Sequence, residues 1–361
     1  MELERLLVDV FAPEAGETVL VMTDLPREGV EDNDAWSARR EMAEEWRRAF
    51  ENLGAKRGFD VHPLLTYPAT GSSNADLPQE GWIEEKRVRL EDVVADATIV
   101  VAMTEFSATA PLVSTFLDGR EDLRAASMPG VSKAMEETAL AADYREVARK
   151  GHVLEERLNR AVSARVRFST GHQATFDLRY REAGVDDGRL HRGKNPPRMI
   201  NLPSGEAYKV PYEGEIEGEP SRTEGTIPVA LSDETVLLTV RENRIVNVVG
   251  EGPRAAEQRE YFGADPARCN IAELGLGTND RAVIRGIVLE DEKVEGFHWA
   301  YGRSAHIGGT VGVEAFHDPM YVVHQDIVYA ETTKVGVVSV LLVYEDGTEE
   351  EIIRDNGYTL F

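Results

Sequence analysis

Apolar residues follow two different rhythms along this chain, and the change falls near residue 150. Residues 17–23 are a short apolar run after a Gly-containing turn, which predicts a buried strand. Asn33 and Asp34 offer a helix cap. Met42, Trp46, Phe50 and Leu53 then recur at three-to-four spacing, so residues 37–53 predict a helix with one apolar face. Residues 60–65 and 98–103 read as further strands, the latter followed by a small, polar loop at 104–109. Alternating strand and helix predicts a parallel α/β domain. Residues 132–163, with Met135, Leu140, Tyr144, Val147 and Leu154 among polar neighbours, predict a long helix joining the two halves.

Beyond that point the period shortens to two. Alternation at 165–169, 174–178, 226–231, 235–240, 244–249 and 334–344 predicts a strand-rich, largely antiparallel second half. Residues 212–225, rich in Glu and Gly, read as an acidic surface loop. A chain of 361 residues exceeds the roughly 250–300 at which one core stops growing. The expected organisation is therefore an α/β domain over 1–150 with a mostly parallel sheet, and a strand-rich α+β domain over 151–361. No phosphate-binding G-x-x-x-x-G-K-[ST] occurs, and no G-x-G-x-x-G follows the first strand, so the N-terminal sheet is not expected to bind a nucleotide.

Charge narrows the partners. Asp and Glu number 65 against 40 Lys and Arg, a formal charge of -25. Such a surface repels nucleic-acid phosphates and anionic lipid. Only eight of the cations are Lys. An acid-rich, Lys-poor surface suits high salt, and it is equally what an Arg-favouring, GC-rich genome produces. Cys269 is the single cysteine and has no internal disulfide partner; a buried, unreactive thiol is expected. Acids stand at the N-terminus where a signal peptide carries positive charge, and the apolar run at 97–103 is too short to span a bilayer. A cytoplasmic protein is expected.

Four of the eight histidines fall between 298 and 324. His324 and Asp326 lie two apart in a strand-like stretch, so both side chains face one way, as a metal requires. Alone, that pair also fits a buried His bonded to its neighbour. Three acidic positions add weight. Glu206 ends the turn N-L-P-S-G-E. Glu273 stands among small and apolar residues in A-E-L-G-L-G-T-N, where an acid is costly unless paired or bound to metal. Glu292 precedes His298 in a stretch dense with acids. Each could also be a solvated turn, a salt-bridge partner or a charged loop.

Together these motifs, in this order, resemble the thermophilic metallo-aminopeptidases of the aminopeptidase T and aminopeptidase S type. N-L-P-S-G-E, A-E-L-G-L-G-T-N, D-E-K with H-W-A-Y-G-R-S, and V-H-Q-D carry the likeness, which extends to the turn at 127–130. The resemblance implies a cytoplasmic, homodimeric enzyme that removes N-terminal residues from peptides or cleaves a related small amide. It implies two divalent ions, Zn, Co or Mn, held by Glu206, Glu273, Glu292, His298, His324 and Asp326, with Glu273 bridging them. A mixed carboxylate and imidazole set suits those ions. Two metals about 3.5–4 Å apart would polarise the scissile carbonyl and activate a water.

The chain departs from that pattern at three places. Ala305 stands where the family places a catalytic Tyr, which leaves His306, or Tyr301 at a different offset, as the candidate oxyanion group. The interval from Glu292 to His298 is one residue longer, and the chain is shorter. The sequence also resembles, more distantly, the 2,5-dihydroxypyridine dioxygenases, which hold one Fe(II) on two His and one carboxylate. Those have a His at the position of Glu273 and an apolar residue at that of Glu206. The acids here favour hydrolysis over a mononuclear ring-cleaving oxygenase; a non-catalytic homologue that keeps the metal site without turnover is the other alternative.

Overall fold

The computed structural model describes residues 3–193 and 198–361. The chain divides into two compact units. One comprises Met1–Ala148, Asp186–Ser204 and Asp280–Glu290; the other comprises Arg149–Val185, Gly205–Asn279 and Asp291–Phe361. The second half of the sequence thus returns two short segments to the first unit.

The first unit is built on a mixed eight-stranded sheet. Its parallel core runs Met199–Asn201, Arg124–Ser127, Ile99–Ala102, Thr18–Leu25 and Leu65–Pro68 in that order. The hairpin of Glu80–Ile83 and Lys86–Arg89 adds an antiparallel edge. The apolar runs at Thr18–Leu25 and Ile99–Ala102 are buried because helices cover such a sheet on its faces. The helix Asp34–Arg57 starts at Asn33, whose side chain accepts from the Trp36 amide at 2.8 Å. Met42, Trp46, Phe50 and Leu53 turn inward as their spacing predicts. Each large apolar side chain so buried contributes about 1.5–3 kcal/mol.

The expected helix over 132–163 is broken. Short 3-10 turns occupy Lys133–Glu136 and Ala139–Ala141, and the α-helix proper is Tyr144–Arg160. The reason lies far away in sequence. The carboxylate of Glu290 accepts a hydrogen bond from the Thr138 hydroxyl at 2.6 Å and from the Ala139 amide at 3.4 Å. A buried acid thereby takes a backbone donor that a continuous helix would use itself.

The second unit holds two antiparallel sheets. One has eight strands, in the order Arg244–Val249, Glu234–Arg241, Glu224–Leu231, Gln173–Asp177, Ala161–Phe168, Val337–Tyr344, Glu349–Arg354 and Gly357–Tyr358. Period-two alternation predicted most of these. In the other sheet Glu206–Lys209, Ile271–Gly277, Gly296–Gly302 and His324–Tyr329 lie side by side. One face of it is apolar: Leu274, Leu276, Phe297, Trp299 and Tyr329 join the unit's core with Phe168 and Phe176. Among the described residues, no helix is long and apolar enough to cross a membrane.

Candidate metal centre

Residues paired across an antiparallel ladder point to the same side of the sheet. Glu206 pairs with Gly277, Gly275 with His298, Glu273 with Ala300, Ala300 with Asp326, and Gly302 with His324. Four strands therefore place Glu206, Glu273, His298, His324 and Asp326 on one face, opposite the apolar core. The small residues between them make the room. A Cβ on Gly275 would fall 1.9 Å from Nε2 of His298, so only glycine lets that ring lie across the strand. A Cβ on Gly277 would fall 2.0 Å from the Val294 carbonyl, so glycine here admits the segment that carries Glu292 and Lys293.

Glu273 stands at the centre. Its Oε1 is 3.4 Å from Nε2 of His298, and its Oε2 is 3.1 Å from Nε2 of His324. Oε2 of Glu206 is 3.1 Å from the same nitrogen of His298, and Oδ1 of Asp326 is 3.8 Å from Nε2 of His324. Two donor groups result, Glu206, Glu273 and His298 in one and Glu273, His324 and Asp326 in the other, with ligand atoms within 4.8 Å of each other in each.

The polar atoms here are unusual for a core. Both ring nitrogens of His298 and Oδ1 of Asp326 are buried without a hydrogen-bond partner. The carboxylate oxygens beside His298 are close but off the N–H direction. Buried polar groups are rarely left so, and an unpartnered carboxylate oxygen such as Oδ1 of Asp326, among imidazole and carboxylate donors, is what a cation would satisfy. The donor set fits a divalent metal, with His324 the best oriented: its Nδ1 is 2.7 Å from the Arg303 carbonyl, so Nε2 is the nitrogen that would face an ion.

The electrostatics follow from burying so many acids together. Burial opposes ionisation of Glu273, yet the two imidazoles hold its pKa far below the carboxylate range. Burial likewise opposes charge on His324, but Asp326 and Glu273 push its pKa up to about 10. His298 is raised against burial by Glu206 and Glu273. Burial raises Asp326. Metal-free, the cluster holds protons that a bound cation would displace.

The other expected residues are placed differently. Glu292 joins neither donor group; its Oε1 lies 2.7 Å from Nζ of Lys293, the residue beside it. Burial, with the charges of Glu206 and Asp326, raises its pKa. Tyr301 lies three residues after His298 on the same strand and so faces the opposite side. It packs in the core against Tyr261, Phe262 and Trp299, and burial pushes its hydroxyl pKa well up. The structure does not bring it to the cluster. His306 sits in a short turn, exposed, with its ring edge-on to His324 at 4.8 Å between centroids. Its pKa is pushed down by desolvation and then by the charges of His324 and Arg303. For an exposed ring the two neighbouring cations are the stronger reason.

Two residues of the site were hidden in charge-rich stretches. Lys293 is 1% exposed, and its Nζ lies 2.5 Å from Oε1 of Glu206. Glu213 falls in the acidic stretch read as a surface loop, yet its side chain is buried. Its Oε1 accepts from Ser304 Oγ at 2.5 Å and Asn270 Nδ2 at 2.8 Å. Its Oε2 accepts from the Thr310 amide at 2.6 Å and hydroxyl at 2.7 Å. Glu213 thereby pins both ends of the turn that carries His306. Its only sequence signal is a Glu close after the Glu206 strand.

No protein-family model matches this chain, and no curated protein does. Two solved structures share its fold over essentially the full length. One is 2,5-dihydroxypyridine dioxygenase from Pseudomonas putida KT2440, with a TM-score of 0.66 at 17% identity, covering 100% of this chain and 96% of that one. The other is wild-type AmpT from Thermus thermophilus, an aminopeptidase T, with a TM-score of 0.63 at 15% identity, covering 99% of each chain.

Proposed function

We propose that this chain is a divalent-metal-dependent hydrolase of the aminopeptidase type, acting on a peptide N-terminus or a related small amide. The observation that supports it most is the carboxylate of Glu273, which turns one oxygen to each of two imidazoles, that of buried His298 and that of partly buried His324. Acids at 206 and 273 make the donor set richer in carboxylate than the two-His, one-carboxylate triad of a mononuclear iron oxygenase. Glu273, His324 and Asp326 would hold the metal. A divalent ion bound there supplies Lewis acidity toward a carbonyl and lowers the pKa of a water. His306, held beside His324 by the turn that Glu213 pins, is the group assigned to the developing oxyanion.

The test is metal-dependent turnover. Chelator-treated protein reloaded with Zn, Co or Mn should release p-nitroaniline from aminoacyl p-nitroanilides. No release with any of these ions, together with O2 consumption on a dihydroxypyridine after loading with Fe(II), would replace the hydrolase by an oxygenase. Metal binding without turnover on either substrate would leave a binding protein.

A further inference from the structure

Lys293 has no place in the hydrolytic reading, and it sits inside the acid cluster. Its ammonium reaches Oε1 of Glu206 at 2.5 Å and Oε1 of Glu292 at 2.7 Å. These are contacts of the kind a divalent cation would make with the same two oxygens. A buried ammonium is costly unless carboxylates meet it, so the lysine and the two acids require one another. An ion on Glu206, Glu273 and His298 would have to share the Glu206 carboxylate with that ammonium, and two cations on one buried carboxylate repel strongly.

The other donor group is free of this conflict. Among the described residues, no Lys or Arg side chain pairs with Glu273 or Asp326. The imidazoles differ in the same sense. His324 is oriented through Nδ1 by the Arg303 carbonyl, as metal-bound histidines usually are. His298 has no such partner on either nitrogen.

We infer that Lys293 is a built-in cation that fills the Glu206–Glu292 side of the cluster, so that this chain takes up one divalent ion, on Glu273, His324 and Asp326, and Glu292 is not a ligand. This rests on the cluster being the metal centre of the proposed hydrolase, and it replaces the expectation of two ions.

The experiment counts ions. Chelator-treated full-length protein is titrated with Zn²⁺ alone, by calorimetry and by native mass spectrometry. The wild type should bind one Zn²⁺ per chain. Lys293→Met, which keeps the length and removes the charge, should bind two and gain more in melting temperature from Zn²⁺ than the wild type does. Glu292→Gln should keep the single ion, and Asp326→Asn should lose it. If Lys293→Met does not fold, the wild-type count and Glu292→Gln still decide. Two ions of comparable affinity in the wild type, or loss of the ion in Glu292→Gln, overturn the inference and leave the hydrolase standing. No ion in the wild type overturns both.

Discussion

Oε2 of Glu273 lies 3.1 Å from Nε2 of His324, and the two residues share one face of the sheet on strands separated by Gly296–Gly302. The other oxygen of the same carboxylate meets His298. Glu273→Gln keeps the size and removes the charge from the point on which both donor groups depend. It should lower Zn²⁺ occupancy after dialysis and abolish metal-dependent hydrolysis. Elemental analysis and single-turnover assays check it. Full occupancy and full activity in this variant would remove Glu273 from the centre of the site.

His306 makes a different kind of contact. Its ring packs edge-on against His324 from an exposed turn, so its loss removes no core packing. His306→Ala should retain the metal and the melting temperature while kcat falls about 10²–10³-fold, the usual cost of one oxyanion donor. Glu213→Gln should produce a smaller loss in kcat, because it loosens the turn without removing the ring. An unchanged kcat in His306→Ala would deny His306 a chemical part, and Tyr301, buried on the far face of its strand, is not available to replace it.

The strands of the second unit were legible because each buries one face, and a period of two records that directly. The face that gathers the candidate donors was legible for a related reason. Glu273 is an acid among apolar neighbours, and His324 and Asp326 stand two apart. What escaped was set by partners distant in sequence. The break at Thr138 depends on Glu290, and no local pattern announces it. Lys293 and Glu213 look like members of solvated charge runs until the fold buries them. Tyr301 stands at an odd offset from His298 on one strand, which puts the two on opposite faces.

The surface carries two opposed salt effects. Exposed ion pairs such as Lys56 with Glu4 weaken as salt rises, but such a pair is worth only about 0–1 kcal/mol. The excess of acids, a net -25, repels across the whole molecule and is relieved by the same salt. Relief should win as the Debye length falls from about 10 Å at 0.1 M to about 3 Å at 1 M. The melting temperature should then rise by a few degrees, the shift that about 1 kcal/mol gives in a chain of this size. Scans across that range in NaCl check it. A flat profile would leave codon usage as the source of the Lys-poor composition.

Lys209 gives a pH dependence independent of the metal. It lies on the core face of the Glu206–Lys209 strand, 1% exposed, and its Nζ donates to the Leu158 carbonyl at 2.7 Å, near the end of the helix Tyr144–Arg160. Burial pulls its pKa from 10.5 down to about 8. Below pH 8 both folded and unfolded chains carry the proton, and the folded state bears the cost of burying it. Between pH 8 and 10.5 the unfolded chain holds more protons than the folded one, so stability rises with pH through that window and levels above it. The shift corresponds to about 3 kcal/mol across the window. Lys209→Met removes the titrating group but also the donor to Leu158, so its absolute stability mixes two effects. The difference between wild type and variant isolates the proton. Urea midpoints at pH 7, 9 and 10.5 should show the wild type gaining on Lys209→Met as pH rises. A constant difference would mean that Lys209 titrates in the fold as it does in the unfolded chain, and that its ammonium is solvated after all.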